Sequence, residues 1–289
     1  MFDFVGKTAF ITGGASGAGL GQAKVFAAAG CRVVIADIRQ DAIDAALAEL
    51  RAGGAQAHGI RLDITDRAAF AQAADEAESV FGPVHLLFNT AGVSIFGPLE
   101  KATYDDYDWI MGVNWWGVVN SMQTFVPRML AHGQGGHIVN TASLAGLTPM
   151  PSFMAIYAVA KAGVITLTES IRDSMAQDNI GVTVLMPGPI KSRIHESGQN
   201  RPERFRDGSG FQANEALLAQ RVVSDTWMEP TEVGDMVIDA IVNNTLYIAT
   251  HGNWADAIRT RFETMIAVMP PPVDLNFGET LAVKAADPG

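Results

Sequence analysis

The chain has 289 residues, enough for one large domain, and 48% of them are apolar against 18% charged. A net charge of −11 leaves no surplus of cations to neutralise a phosphate backbone, so nucleic acid is not expected as a partner. One cysteine, Cys31, excludes an intrachain disulfide, and the six histidines show none of the spacings that build a metal site, so no metal is expected.

Taken in chain order, the first elements are a short apolar run over 8–12 and a glycine-rich turn, which predict a buried strand leading into a helix over 22–29 that stops at Gly30. A second strand covers 32–36 and ends in Asp37. Alanine and leucine at helical spacing predict a helix over 41–51, stopped by Gly53 and Gly54. The alternation continues with a strand over 56–62, a helix over 67–81, a strand over 85–89, a helical region from 104 to 130 and a strand over 137–141. A helix over 157–177, a strand over 181–186, a helix near 232–243 and a short strand over 246–249 complete the series. Apolar strands separated by helices indicate an α/β fold: one doubly wound, Rossmann-like domain, with a parallel sheet of about seven strands and helices on both faces.

Two segments depart from this rhythm. Residues 191–230 are polar and glycine-bearing, then turn helical around 214–223, which suits a substrate lid. Residues 270–289, opening on three prolines, read as a C-terminal tail on the surface or loose. The N-terminus has no basic region leading into an apolar signal core, and no stretch approaches the roughly 18 apolar residues of a membrane span. A cytoplasmic protein that does not engage a membrane is therefore expected.

The glycine-rich turn carries the first chemical signal. Gly13, Ser16, Gly17, Ala18 and Gly19 lie between a predicted strand and a predicted helix, where glycines let the backbone approach a pyrophosphate and the helix N-terminus supplies donors. Asp37 ends the next strand at the distance where a carboxylate accepts hydrogen bonds from the adenosine ribose and repels a 2′-phosphate, which favours NAD over NADP. Arg39 argues the other way, since a nearby guanidinium accepts a 2′-phosphate. Asp37 as a simple turn residue is the bland alternative.

With these residues in view the chain resembles the short-chain dehydrogenase/reductase family over nearly its whole length. The family's T-G-x-x-x-G-x-G turn is matched by Thr12, Gly13, Gly17 and Gly19, and its N-N-A-G segment by Asn89, Thr90, Ala91 and Gly92, with Thr90 in place of the second asparagine. Its asparagine, serine and Y-x-x-x-K are matched by Asn114, Ser143, Tyr157 and Lys161, and its P-G by Pro187 and Gly188, with Ser192 where threonine is common. The resemblance implies that Asp63 and Ile64 contact the adenine region, that Asn89, Ala91 and Gly92 line the adenosine and ribose side, and that Ile190 and Ser192 meet the nicotinamide carboxamide. It implies a catalytic set of Asn114, Ser143, Tyr157 and Lys161, with the last two also binding the cofactor.

The chemistry requires a base for the hydroxyl proton and a cofactor held against the carbinol carbon. A tyrosine in water has a pKa of about 10. Lys161, one helical turn after Tyr157, is expected to favour the phenolate together with the oxidised nicotinamide. Ser143 is expected to position the substrate oxygen, and Asn114, in the family, holds water that relays the proton; its alternative is a helix-bend residue with a satisfied side chain.

Ser94, Ile95, Phe96, Met150, Phe153, Met154, Pro189 and Ile194 are expected near the substrate, an apolar lining suited to a bulky aromatic alcohol, although about half of such residues are expected to be ordinary core or interface. His195 is expected to be solvated. Residues 12–21, 99–109, 136–150 and 187–204 resemble a narrower group, the bacterial Cα-dehydrogenases that oxidise the benzylic alcohol of lignin-type β-aryl ethers. That implies guaiacylglycerol β-guaiacyl ether as the substrate class. The alternatives are a dehydrogenase for a steroid or β-ketoacyl substrate and a non-catalytic NAD(H) sensor, though a sensor has no chemical need for all four catalytic residues. Two helices apolar on more than one face, around 113–130 and 157–175, lead us to expect a homodimer or homotetramer.

Overall fold

The computed structural model describes residues 3–220 and 222–273. Seven parallel strands form one sheet in the order β3-β2-β1-β4-β5-β6-β7: β1 Thr8–Thr12, β2 Arg32–Asp37, β3 Ala57–Arg61, β4 Val84–Asn89, β5 Gly136–Thr141, β6 Ile180–Met186 and β7 Tyr247–Ala249. Parallel strands buried on both faces need apolar side chains at every position, and alternation then sends them to opposite sides. In β1, Phe10 packs on one face and Ala9 and Ile11 on the other; β4 divides Leu87 from Leu86 and Phe88 in the same way.

One face is covered by α3 (Arg67–Phe81), α5 (Gly117–His132) and α6 (Ala155–Ala176), the other by α1 (Gly17–Ala28), α2 (Gln40–Ala52) and α8 (Pro230–Val242). On the first face the Phe10 and Phe125 rings lie 4.5 Å apart. Each fully buried phenylalanine of this kind contributes about 1.5–3 kcal/mol of burial free energy. On the second face α1 and α8 touch backbone to backbone, because a Cβ at Gly21 would collide with Pro230 and one at Gly234 would meet the Gly21 carbonyl at 2.9 Å.

The helix starts follow local chemistry. Asp66 caps α3 by accepting from the Ala68 and Ala69 amides at 2.9 and 3.0 Å. Thr103 and Asp106 form a reciprocal capping box on α4 (Tyr104–Met111). Strand order reverses between β1 and β4, so a crevice opens beyond their carboxyl ends, the place where such sheets bind ligands.

Several expectations are corrected in detail. Helix α1 begins at Gly17, five residues before the expected start, since its first turn is built from glycines that carry no helical signal. A π-helical turn, Gly112–Trp116, joins α4 to α5. Among the described residues of 191–230 are two 3₁₀ turns, Ile194–Asn200 and Glu203–Phe205, and helix α7 (Gln212–Leu218), shorter than the 214–223 expected. A further helix, α9 (Ala255–Ala267), was not foreseen. Residues 270–273 of the expected tail are exposed, and 274–289 lie outside the described residues. By length and a mean hydropathy of 1.3, Ser152–Ala176 meets the measure of a membrane-crossing helix, which no stretch was expected to approach. Its apolarity has a use inside the fold, where Ile156, Ala160, Val164 and Ile165 are buried beside Lys161.

Candidate active site

The crevice at the reversal point is a cleft of about 650 Å³. At its nucleotide end, the β1–α1 turn approaches the β4 loop so closely that a Cβ at Gly13 would lie 2.7 Å from the Ala91 Cα, and Gly13 has φ +66. Gly17, at φ +50, leaves no room either: its missing Cβ would fall 2.7 Å from the Ser192 Cβ, where the 191–230 segment crosses the turn. Thr12 fixes the arrangement, its hydroxyl accepting from the Thr90 and Ala91 amides at 3.0 and 3.2 Å. Ser16 stands at the N-cap of α1 without a side-chain capping bond, so it does not compete for the first-turn N–H groups. Gly13, Ser16, Gly17, Ala18 and Gly19 all line the cleft. This is a glycine cradle that side chains would fill, and it fits a pyrophosphate.

Asp37 ends β2 at the cleft wall. Burial raises its carboxyl above the usual range, opposed by the backbone of Arg39, Ala15 and Ile38 and by the Arg39 charge. The Arg39 amide donates to it at 3.1 Å, while the guanidinium Nε stays 3.9 Å away. Asp63 and Ile64 lie beside it; Asp63 accepts from the Thr65 amide and hydroxyl at 2.9 and 2.7 Å, and Ile64 packs against Gly117.

At the other end, α6 brings Tyr157 and Lys161 to one face. The Lys161 Nζ lies 5.8 Å from the tyrosine ring centre and donates to the Thr141 carbonyl at 3.0 Å. Burial lowers the ammonium to about 8. Burial also raises the Tyr157 phenol, and a hydrogen bond with Ser143 opposes that rise. Lys161 together with the oxidised nicotinamide is expected to favour the phenolate; among the protein's own groups, burial raises Tyr157 and lowers Lys161. The Ser143 hydroxyl accepts from the Ala145 amide at 3.2 Å and donates to the Pro187 carbonyl at 3.4 Å, which ties it to the loop after β6.

Ala91, Gly92, Pro187, Gly188, Ile190 and Ser192 line the middle of the cleft. Asn89 and Asn114 do not line it. Asn89 points within the sheet, donating to Asn140 at 2.8 Å, and Asn140 donates onward to Thr168 at 3.0 Å. Asn114 is fully buried on the π-turn, where its amide donates to the Val93 and Ile110 carbonyls at 3.0 Å and accepts from the Val93 amide at 3.3 Å. It is a helix-bend residue with a satisfied side chain. It still lies close to the pair, because a Cβ at Gly92 would sit 2.9 Å from the Asn114 Oδ1 and 3.5 Å from the Lys161 Nζ.

Ser94, Phe96, Met150, Phe153, Met154, Pro189 and Ile194 line the outer cleft. The Phe96 ring meets Tyr157 edge to face at 5.7 Å. Ile95 turns away into a buried cluster with Trp109 and Phe211. His195 is not solvated: its side chain is 12% exposed, its Nε2 is 3.7 Å from Glu196, and its buried Nδ1 has no partner among the described residues. Sequence reasoning missed Thr141, Thr148, Asn200, Leu218, Trp227 and Trp254 as lining residues. Thr90 was read only as a mild departure, yet its hydroxyl links Gln22 at 2.8 Å with Thr141 at 3.3 Å. Trp254 stands at the start of the unforeseen α9, so no motif announced it.

The model of the short chain dehydrogenase family matches residues 7–202. The C alpha-dehydrogenase of Sphingobium sp. (strain NBRC 103272 / SYK-6) is 46% identical over 273 residues, covering 94% of this chain and 89% of that protein. The apo crystal structure of LigD from Sphingobium sp. strain SYK-6 superposes with a TM-score of 0.78 at 42% identity, over 93% of this chain and all of that one. A short chain dehydrogenase/reductase from Burkholderia phymatum, crystallised in complex with NAD, gives a TM-score of 0.87 at 35% identity, over 95% of this chain and 99% of that one.

Proposed function

The chain belongs to the short-chain dehydrogenase family, and on that premise we propose that it oxidises the benzylic secondary alcohol of a lignin-type β-aryl ether to the aryl ketone with NAD. The observation that carries this reading is the placing of Tyr157, Ser143 and Lys161 where a glycine-cradled nucleotide cleft meets a wall of Phe96, Phe153 and Met150. The C alpha-dehydrogenase of Sphingobium supports the substrate class, and the NAD complex of the Burkholderia enzyme supports the cofactor.

When bound, NAD supplies the acceptor for the hydride that leaves the carbinol carbon. Gly13, Ser16, Gly17, Ala18 and Gly19 would hold its pyrophosphate, Asp37 its adenosine ribose, and Ile190 and Ser192 its carboxamide. Tyr157 takes the hydroxyl proton at its phenolic oxygen. Burial raises Tyr157, and the phenolate that takes the proton would be favoured by the Lys161 ammonium, which burial lowers to about 8, and by the positive charge that oxidised NAD would bring. Ser143 donates to the substrate oxygen and orients it toward Tyr157. Asn114 acts as a positioning residue that fixes the Val93 backbone behind Lys161. The exposed Trp116 and Val159 support assembly into a homodimer or homotetramer.

The test is the initial rate of NADH formation from separate stereoisomers of guaiacylglycerol β-guaiacyl ether, in the wild type and Tyr157→Phe. Turnover by the wild type is expected, with kcat lowered about a hundredfold or more in the variant and NADH affinity retained. A variant turning over at the wild-type rate would remove Tyr157 from the mechanism.

A further inference from the structure

Beside the main cleft lies a second cavity of about 470 Å³, bordered by Phe96 and Phe153 and by Asn214, Leu217, Leu218 and Gln220 from α7 and the turn after it. Phe96, Phe153 and Leu218 also line the main cleft, so the two spaces share a wall. An aromatic row leads there from the reacting tyrosine. Tyr157 meets Phe96 at 5.7 Å, and Phe96 meets Phe153 at 6.3 Å, each pair edge to face.

The segments that border this cavity are tied to the fold at several points. Phe211, just before α7, is 2% exposed and sits against Gly97, where any Cβ would strike its ring. The Gly97 amide donates to the Phe153 carbonyl at 3.1 Å, which ties the two aromatic segments together. Glu215 of α7 accepts from the buried Arg201 at 2.8 Å. On this anchored frame, Leu217 is 68% exposed and Phe153 46% exposed. Two large apolar side chains thus border the same cavity without covering each other.

The lining also narrows the occupant. Among the described residues, none of the six that line it is charged, which suits a neutral group and disfavours a phosphate-bearing carrier. Aromatic edges opposed by leucines suit a flat ring. The Asn214 amide makes no hydrogen bond among the described residues, so it is open to an ether or methoxy oxygen.

Resting on the function proposed above, we propose that this cavity is a subsite for the second ring of a two-ring substrate. The aryloxy group on the carbon next to the carbinol docks between Phe96, Phe153 and Leu217, while the carbinol itself stays at Tyr157. Three single bonds join the carbinol carbon to that ring, a short reach in keeping with a subsite one aromatic residue beyond the tyrosine. Leu217 and Leu218 are then specificity-determining residues that touch no reacting atom.

The experiment compares kcat/KM for guaiacylglycerol β-guaiacyl ether with that for a one-ring alcohol, 1-(4-hydroxy-3-methoxyphenyl)ethanol, in wild type, Leu217→Ala and Leu217→Asp. The wild type is expected to prefer the two-ring alcohol. Leu217→Asp is expected to lower the two-ring to one-ring ratio about tenfold, mainly through KM, and Leu217→Ala by less in the same direction. A ratio unmoved in both variants, with wild type oxidising both alcohols, overturns the subsite and leaves the proposed function standing. A wild type that oxidises neither alcohol overturns both.

Discussion

The Asp37 carboxylate and the Arg39 guanidinium stand 3.9 Å apart at the cleft wall, and they favour opposite dinucleotides. Asp37 holds the better position, since it accepts the Arg39 amide and its side chain is 11% exposed, whereas the guanidinium makes no closer contact with it. A 2′-phosphate beside this carboxylate would be repelled by its charge. On the proposed reading, Asp37→Ala is expected to shift the NADP-to-NAD ratio of kcat/KM toward NADP by at least about tenfold, one to two kcal/mol of lost repulsion and lost ribose hydrogen bonding. Adding Arg39→Ala is expected to take most of that gain away, because the guanidinium is the group left to meet the extra phosphate. Steady-state rates with both cofactors read this directly, and an unchanged ratio in Asp37→Ala would assign the preference elsewhere. At this scale the sequence was informative wherever spacing alone determines direction. Tyr157 and Lys161, four apart on a helix, had to share a face, and the glycines of the first turn had to meet the cleft. Asn89 and Asn114 were not legible in the same way. Whether a strand-end side chain points up or along the sheet depends on its pleat, and the π-turn adds a residue that turns Asn114 inward.

Among elements, the 191–230 segment shows what local reading cannot reach. Its polarity suggested an irregular lid, yet it is held by Arg201, which is 1% exposed and lies over the Trp109 ring at 4.3 Å. Arg201 donates to Asp106 at 2.9 Å, a residue 95 positions earlier, and to Glu215 of α7. Asp106 is itself crowded with donors: Ser209 at 2.6 Å, Gly210 at 2.9 Å and the Thr103 amide at 3.0 Å. Burial pushes its carboxyl up, but these hydrogen bonds and the Arg201 charge outweigh it and hold the group below the usual range. Strands announce themselves by composition over five or six residues, whereas a partnership across 95 positions leaves no periodic trace. The consequence is testable. Arg201→Met strands two carboxylates, one fully buried, and loses about 3–5 kcal/mol of local stability. The segment is then expected to be cut faster by protease within 191–230 and, on the proposed reading, the KM for the alcohol to rise, while NADH affinity changes little. Protection equal to the wild type would show that the ion pairs do not hold the segment.

For the whole molecule, the sheet that was largely legible as alternating runs also hides a titratable group. His137 of β5 is 2% exposed, and its Nε2 lies 2.7 Å from the Thr183 hydroxyl on β6. Thr183 spends its own proton on the Thr245 carbonyl at 2.7 Å, so Nε2 must be the donor in the histidine contact. A neutral ring satisfies this network. Charging it would bury a cation beside Arg172, and burial first, then that charge, lowers the imidazole to about 3. An unfolded histidine titrates near 6.5, so below that pH the unfolded chain takes a proton the native sheet refuses. Stability contributed by the neutral ring is therefore present above about 6.5 and declines as pH falls toward about 3, by at most about 1.4 kcal/mol per pH unit. His85, also lowered chiefly by burial, acts in the same direction. Between pH 7.5 and 5, urea unfolding is expected to show the wild type losing about 1–2 kcal/mol more than His137→Gln, whose amide cannot titrate. Parallel losses in the two proteins would mean that the native sheet accepts the proton on His137, and that burial between β5 and β6 is looser than the hydrogen bonds to Thr183 imply.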